Sequence, residues 1–285
     1  MRASDIFRLV LLAAIWGGSF VFLRVVAPAL GPIVTADLRV LIAWAALAIY
    51  SRAVGLNVGW RQFWQQYLII GAFNAALPFF LFAFAALHIP ASYSAILNAT
   101  SPFFAALFAG LWLGEKITLL KGLGFVFGIA GVGLVTGVAP GAAGSSATWA
   151  MAACLLASLS YGYVGVYTKR FAAAANPRAI AVGSQLMAGL LLLPFAPLAP
   201  PPGPVTPFIA VNMILFALLS SGVAFLLYYR LIADIGPTKA LTVTFLMPAF
   251  TMIWASLFLG EVVTASMIIG CALILGGTAL VVGRR

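Results

Sequence analysis

Charged residues are confined to short intervals between long apolar runs. No Asp, Glu, Lys or Arg occurs in residues 62–87, 89–114, 122–168, 179–229, 240–260 or 262–283. A membrane-spanning helix needs about 20 mostly apolar residues. Two of the runs, 122–168 and 179–229, are long enough for two crossings each. They are divided by Pro140-Gly-Ala-Ala-Gly-Ser-Ser146 and Pro197-Leu-Ala-Pro-Pro-Pro-Gly-Pro204. This pattern predicts eight spans. Leu9–Ala27 and Ile33–Ser51, which hold the few charges at membrane depth, predict two more. The expected fold is an all-α integral membrane protein of ten transmembrane helices. The runs are continuous rather than alternating, which excludes an outer-membrane barrel. No small-residue cleavage site follows the first run, so it reads as a retained span and not a signal peptide.

The pattern repeats. The stretch from Pro90 to Lys116, PASYSAILNATSPFFAALFAGLWLGEK, returns 146 residues later as GPTKALTVTFLMPAFTMIWASLFLGEV. Pro102 falls on Pro248, and Gly114-Glu115 on Gly260-Glu261. At the same offset Asn74–Phe80 falls on Ser220–Leu226 and Arg39 on Gln185; Trp16-Gly17 meets Tyr161-Gly162 after a one-residue shift. The repeat predicts two halves, 1–139 and 147–285, of five spans each. Five is odd, so the second half starts on the opposite side of the membrane and the repeat is inverted. Inverted repeats build secondary transporters, with the site near the bilayer midplane where the repeats meet.

Composition agrees. Hydrophobic residues make up 64% of the chain and charged residues 7%, against about 25% charged in soluble domains. The net charge of +10 is explained by topology rather than by nucleic acid. With a cytoplasmic N-terminus, 13 of the 15 basic residues fall in cytoplasmic segments and none in outer loops. Arg24 and Arg39 are the other two. Both termini are therefore expected in the cytoplasm, and the lipid bilayer is the expected surrounding. Cys154 and Cys271 lie inside apolar runs, where no disulfide is expected. No His/Cys cluster, Walker loop or GxSxG motif occurs, so neither a metal, a cofactor nor an enzymatic activity is expected.

Trp16-Gly-Gly-Ser-Phe20, Arg39, Pro102 with Gly114-Glu115, and their echo in Pro248 with Gly260-Glu261 resemble the EamA family of the drug/metabolite transporter superfamily. The resemblance covers essentially the whole chain as two EamA units. It implies ten helices around a central cavity, lined mainly by spans 1, 3, 4, 6, 8 and 9, and a location in the bacterial inner membrane. It also implies kinship with bacterial exporters of amino acids, notably aromatic ones. The second half departs from the family pattern at Tyr161, in place of its opening Trp, and at Gln185, in place of its Arg.

Candidate site residues follow from chemistry at depth. Ser94, Asn98 and Ser101 fall on one helical face ahead of Pro102, and Asn74 stands four residues before Pro78. A polar group in lipid must find a partner. Asn74 and Asn98 are read as lining the cavity, and the serines rather as ties between helices. Pro102 and Pro248 free backbone carbonyls in mid-span, which points to gating or a site. Trp16, Phe20, Phe79, Tyr161, Tyr163, Tyr228 and Trp254 are candidates for an apolar pocket wall, and Ser19, Ser220, Thr242 and Thr244 for polar positions beside it. Tyr93, Trp60, Trp64 and Tyr67 read as interfacial belt residues. Arg24, Asp37 and Arg39 are the only charges well inside spans; Arg24 and Asp37 are placed to pair across adjacent spans, and Asp37 and Arg39 read as gating or structural. Small residues spaced by four, Gly124/Gly128 and Gly133/Gly137 in span five and Ala272/Gly276 in span ten, read as close helix packing within a monomer, with a homodimer seam as the alternative.

The expected function is export of small amphipathic metabolites, above all neutral or aromatic amino acids, by alternating access. No carboxylate lies at mid-membrane in spans three to ten, which favours an uncoupled uniport over proton antiport. The alternatives are a drug, nucleoside or sugar-like solute with proton coupling and, from another class, a membrane scaffold or lipid-modifying enzyme.

Overall fold

The computed structural model describes residues 2–116, 118–137, 145–235, 240 and 242–282. The expected divider at 140–146 and the charges Lys239, Arg284 and Arg285 lie mainly outside them, as does the boundary between the two halves. Among the described residues the structure is helical and contains no strand. Its helices are α1 (Ala3–Leu30), α2 (Pro32–Ala53), α3 (Trp60–Ala85), α4 (Ala91–Leu113), α5 (Leu119–Gly137), α6 (Ser145–Phe171), α7 (Pro177–Leu192), α8 (207–235), α9 (Val243–Leu259) and α10 (Ala265–Val282). Nine of them are long and apolar enough to cross a bilayer; α9, the other apolar helix, has 17 residues. A 3-10 turn, Leu193–Leu198, extends α7 into the proline-rich stretch that ends its span.

Three local features recur at the 146-residue offset, the third with a one-residue shift at its glycine. The first is the helix stop. Gly114 and Gly260 both have φ 66°, a left-handed value that costs glycine least. The next amide turns back in each, Glu115 N–H to Ala109 O at 3.3 Å and Glu261 N–H to Ala255 O at 3.1 Å. The second is a widened π turn, Ala72–Ala76 in α3 and Leu218–Val223 in α8. Such turns leave carbonyls without their usual helical donors. Ser160 Oγ donates to Phe73 O at 2.7 Å, and Trp16 Nε1 donates to Ser220 O at 3.1 Å. The third is a close crossing at a glycine. A Cβ on Gly17 of α1 would lie 2.8 Å from Phe250 Cβ of α9, and one on Gly162 of α6 would lie 2.6 Å from Phe104 Cβ of α4. Phe104 and Phe250 are themselves 146 residues apart.

α4 and α9 then differ. α4 is broken at Ala99 and Thr100, and Pro102 opens its second segment, Ser101–Leu113. α9 runs unbroken through Pro248. The carbonyls freed in α4 are taken up by hydroxyls. Leu97 O accepts from Thr100 Oγ1 at 2.6 Å and Ser158 Oγ at 3.1 Å; Asn98 O accepts from Ser101 Oγ at 2.7 Å; Ala99 O accepts from Thr278 Oγ1 at 3.3 Å. In α4 the carbonyls freed at the break are thus re-satisfied by neighbours, on α6, α10 and α4 itself.

α5 and α10 pack along glycines. A Cβ on Gly124 would meet Gly277 O at 2.6 Å, and one on Gly131 would meet Gly270 O at 2.8 Å. Gly133, Gly137 and Gly276 meet nothing within 4 Å. The close-packing expectation therefore holds for Gly124 and Gly128, while Gly131, Gly270 and Gly277 complete the seam.

Two belt assignments are corrected. Tyr67 is fully buried and donates to Val58 O at 2.6 Å, and Tyr93 is buried in the main core. Trp64 remains exposed and Trp60 half-buried. At one end of the bundle, Arg8 and Arg230 hold Asp234 at 2.6 and 2.9 Å, and Lys121 and Lys169 hold Glu115 at 3.5 and 3.4 Å.

Candidate substrate site

α1, α2, α3, α6 and α8 bring the decisive side chains together. Arg39 of α2 lies between two rings, with its guanidinium carbon 3.6 Å from the Phe79 centroid and 4.5 Å from that of Phe216. Its Nε donates to Ser221 Oγ at 3.0 Å. Phe79 comes from α3, Phe216 and Ser221 from α8. Arg39 is 7% exposed and Ser221 is fully buried. Neither terminal guanidinium nitrogen has a hydrogen-bond partner among the described residues, and no carboxylate reaches it there. Desolvating such an ion costs several kcal/mol. A desolvated cation–π contact returns about 2 kcal/mol and one hydrogen bond from a charged group about 1.5–3 kcal/mol. The guanidinium is held, but it retains donors to spare.

Ser220, next to Ser221 in the π turn, is 1% exposed, and its Oγ has no partner. Its carbonyl is the acceptor for Trp16. The Trp16 ring lies 5.3 Å from Tyr228 and 6.4 Å from Phe225. One turn along α1, Ser19 is turned inward onto its own backbone, donating to Trp16 O at 2.5 Å. Phe20 packs edge-on to Phe82 at 5.4 Å, and Phe82 stacks with Tyr161 at 6.3 Å. Tyr161 packs against both the main core and the small cluster around Phe79. Trp16, Phe20, Phe79, Tyr161, Ser220 and Tyr228 are therefore linked with Arg39 through one network of contacts. Pro78 is buried beside Phe79, and Asn74 is half-buried in the α3 π turn.

Other expected residues lie elsewhere. Tyr163 joins an aromatic cluster with Phe73, Phe108 and Trp112, at 4.8, 5.6 and 5.1 Å. It is two residues from Tyr161 and faces away from it. Ser94 is buried in contact with Cys154 of α6, Sγ to Oγ 3.6 Å, which makes it a tie between helices. The face drawn through Ser94, Asn98 and Ser101 is interrupted by the break at Ala99 and Thr100. Ser101 donates to Asn98 O, and Asn98 stays half-buried at the break. Thr242 is exposed at the N-cap of α9 and Thr244 is half-buried in its first turn. Trp254 donates to Ala14 O at 3.1 Å and so ties α9 to α1.

The expected Arg24–Asp37 pair does not form among the described residues. Arg24 instead donates to Ala86 O at 2.5 Å, the carbonyl that ends α3. Asp37 is 4% exposed with its Oδ1 unpartnered. Sequence reasoning missed Phe216 and Ser221. Phe216 stands four residues before the matched stretch Ser220–Leu226, and Ser221 lies inside it opposite Ala75, in a segment where Phe and Ser are ordinary; only the fold brings them to Arg39.

The sequence profile of the EamA-like transporter family matches residues 4–137 and 148–283. The chain belongs to that family. Among similar proteins is one of Bacillus subtilis named uncharacterized transporter YvbV, 24% identical and covering 96% of this chain and 90% of its own length. A protein of Streptantibioticus cattleyicolor named probable terminal-alkyne amino-acid exporter is 24% identical, covering 99% of this chain and 96% of its own. Protein PecM of Dickeya dadantii is 25% identical, covering 94% and 88%. A solved crystal structure superposes with a TM-score of 0.68 at 17% identity, over 99% of this chain and 98% of that one, and shares the fold. As an EamA-family member, the chain is a multi-span membrane protein whose relatives carry transporter names.

Proposed function

We propose that this EamA-family protein is a secondary transporter that exports small amphipathic metabolites, with neutral and aromatic amino acids as the preferred class. The observation that carries the reading is the network of Trp16, Phe20, Phe79, Arg39, Tyr161 and Ser220, in which apolar rings from both halves surround few polar groups. Ligand sites have that balance. The relative named as an amino-acid exporter supports the substrate class.

In this reading ten helices form two inverted five-helix repeats, 1–139 and 147–285, about a central cavity. The paired helix stops, π turns and glycine crossings support that symmetry. Asn74 and Asn98 line the cavity. The halves rock about it, with the α4 break and the helix through Pro248 as gates. The clustering of basic residues at one end supports cytoplasmic termini in a bacterial inner membrane. Movement is an uncoupled uniport driven by the solute gradient.

The test is uptake of labelled amino acids into proteoliposomes of the purified protein without an imposed ion gradient. Saturable uptake competed by aromatic amino acids is expected; absence of uptake for the whole panel overturns the reading. The unpartnered, buried Oδ1 of Asp37 favours one second reading, proton coupling through that carboxylate. Net uptake that moves no protons and does not respond to an imposed pH gradient excludes it.

A further inference from the structure

We infer that Arg39 is the carboxylate anchor of the transported solute, so the transporter selects for an acid group and discriminates against the matching amine. The inference rests on the transport reading above and deepens it. Arg39 sits among residues of three helices, fixed between Phe79 and Phe216 and oriented by Ser221. Two rings pack against the guanidinium carbon, and the N–H groups of a guanidinium donate in its own plane, so a ligand is taken at its edge. One edge nitrogen, Nε, is used by Ser221. The two terminal nitrogens form the parallel pair of donors that matches a carboxylate in bidentate geometry. Neither has a hydrogen-bond partner among the described residues.

A cation at membrane depth ordinarily pairs with a protein carboxylate. Asp37 is the nearest one in sequence and is buried, yet the two do not pair: two residues apart on a helix, they project in different directions. Gln185 takes Arg39's place in the second half, so the repeat does not duplicate the charge. Arg39 is therefore an oriented cation at the junction of α2, α3 and α8 with no carboxylate partner among the described residues. Ser220, next to Ser221 in the same π turn, carries a buried Oγ without a partner. A solute that brings its own carboxylate completes the site.

The experiment compares L-phenylalanine with phenethylamine, which has the same ring and amine but no carboxylate, in proteoliposomes of the full chain. Expected is a preference for phenylalanine of roughly ten- to a hundredfold in kcat/KM, the size of a hydrogen bond to a charged group. Arg39→Gln removes the preference, and Arg39→Lys, which keeps charge but not the fork, restores only part of it. Equal transport of acid and amine by the wild type overturns the inference while leaving the transport reading intact; Arg39 is then a clamp between α2 and α8. If neither is transported, the comparison is made with a panel member that is and its decarboxylated amine; absence of uptake for the whole panel overturns the transport reading itself. Should Arg39→Gln fail to fold, Ser221→Ala leaves the charge and releases Nε. The inference then requires a reduced acid preference in that variant, and an unchanged preference overturns it.

Discussion

Trp16 Nε1 donates to the Ser220 carbonyl across 3.1 Å, so α1 is tied to the π turn of α8. The donor is an indole, and Phe keeps the ring while removing it. Trp16→Phe is expected to cost about 0.6 kcal/mol of stability, the average for a hydrogen bond between membrane helices. Its effect on transport rate is expected to be the larger one, because the turn it pins carries Ser220 and Ser221. Thermal unfolding and proteoliposome uptake on the same preparation separate the two.

Gly17 and Gly18 are adjacent in sequence and opposite in tolerance. A methyl on Gly17 enters the α9 backbone, 2.9 Å from Met247 O, whereas one on Gly18 first meets Trp254 Cδ1 at 3.7 Å. Gly17→Ala is expected to destabilise by about 1–3 kcal/mol, as overpacking does. Gly18→Ala is expected to leave the melting temperature in detergent near that of the wild type.

The α5–α10 seam gives a similar contrast. Gly131→Ala drives a methyl to 2.8 Å from Gly270 O and should weaken the bundle. Gly133→Ala meets open space and should be neutral or stabilising, by up to about 1 kcal/mol from helix propensity. Equal melting temperatures for the two variants would mean that the seam does not close as described.

Glu261 caps α4. It accepts from Ala91 N at 2.7 Å, Ser92 N at 3.2 Å and Ser92 Oγ at 2.9 Å. Glu261→Ala is expected to lose about 1–2 kcal/mol, as removal of a helix N-cap does. Glu261→Gln, which keeps one acceptor oxygen, should fall between. Denaturant midpoints of the three proteins order them.

The apolar runs and the repeat offset made the helices legible, because span length and matched Gly-Glu stops are local signals. The offset could not say that Pro102 and Pro248 would behave differently. The residues around them decide that. Ala99, Thr100 and Ser101 of α4 correspond to Phe245, Leu246 and Met247 of α9. Thr and Ser hydroxyls compete for helix carbonyls and support a break, and the α9 residues have none to offer. The candidate site was half legible. Arg39, Trp16 and Tyr161 stand out as charge and aromatic motifs in a lipid-soluble chain. Their partners Phe216 and Ser221 do not, since a cation–π contact across 177 residues and a hydrogen bond across 182 leave no local trace. Arg24 shows the same limit: the charge was visible, but its acceptor is a backbone carbonyl, which every residue has.

The cap on α4 also carries a schedule. Glu261 is 170 residues downstream of Ala91. At a synthesis rate of about 5–20 residues per second, the ribosome delivers it on the order of ten seconds or more after the start of α4 has been made. Until then the first amides of α4 must rely on water, headgroups or the insertion machinery. A chain truncated just short of Glu261 keeps α1 to α9, but its fourth helix has never received its partner. Such a nascent chain should remain more open to protease and to amide exchange at Ala91 and Ser92 than the finished protein.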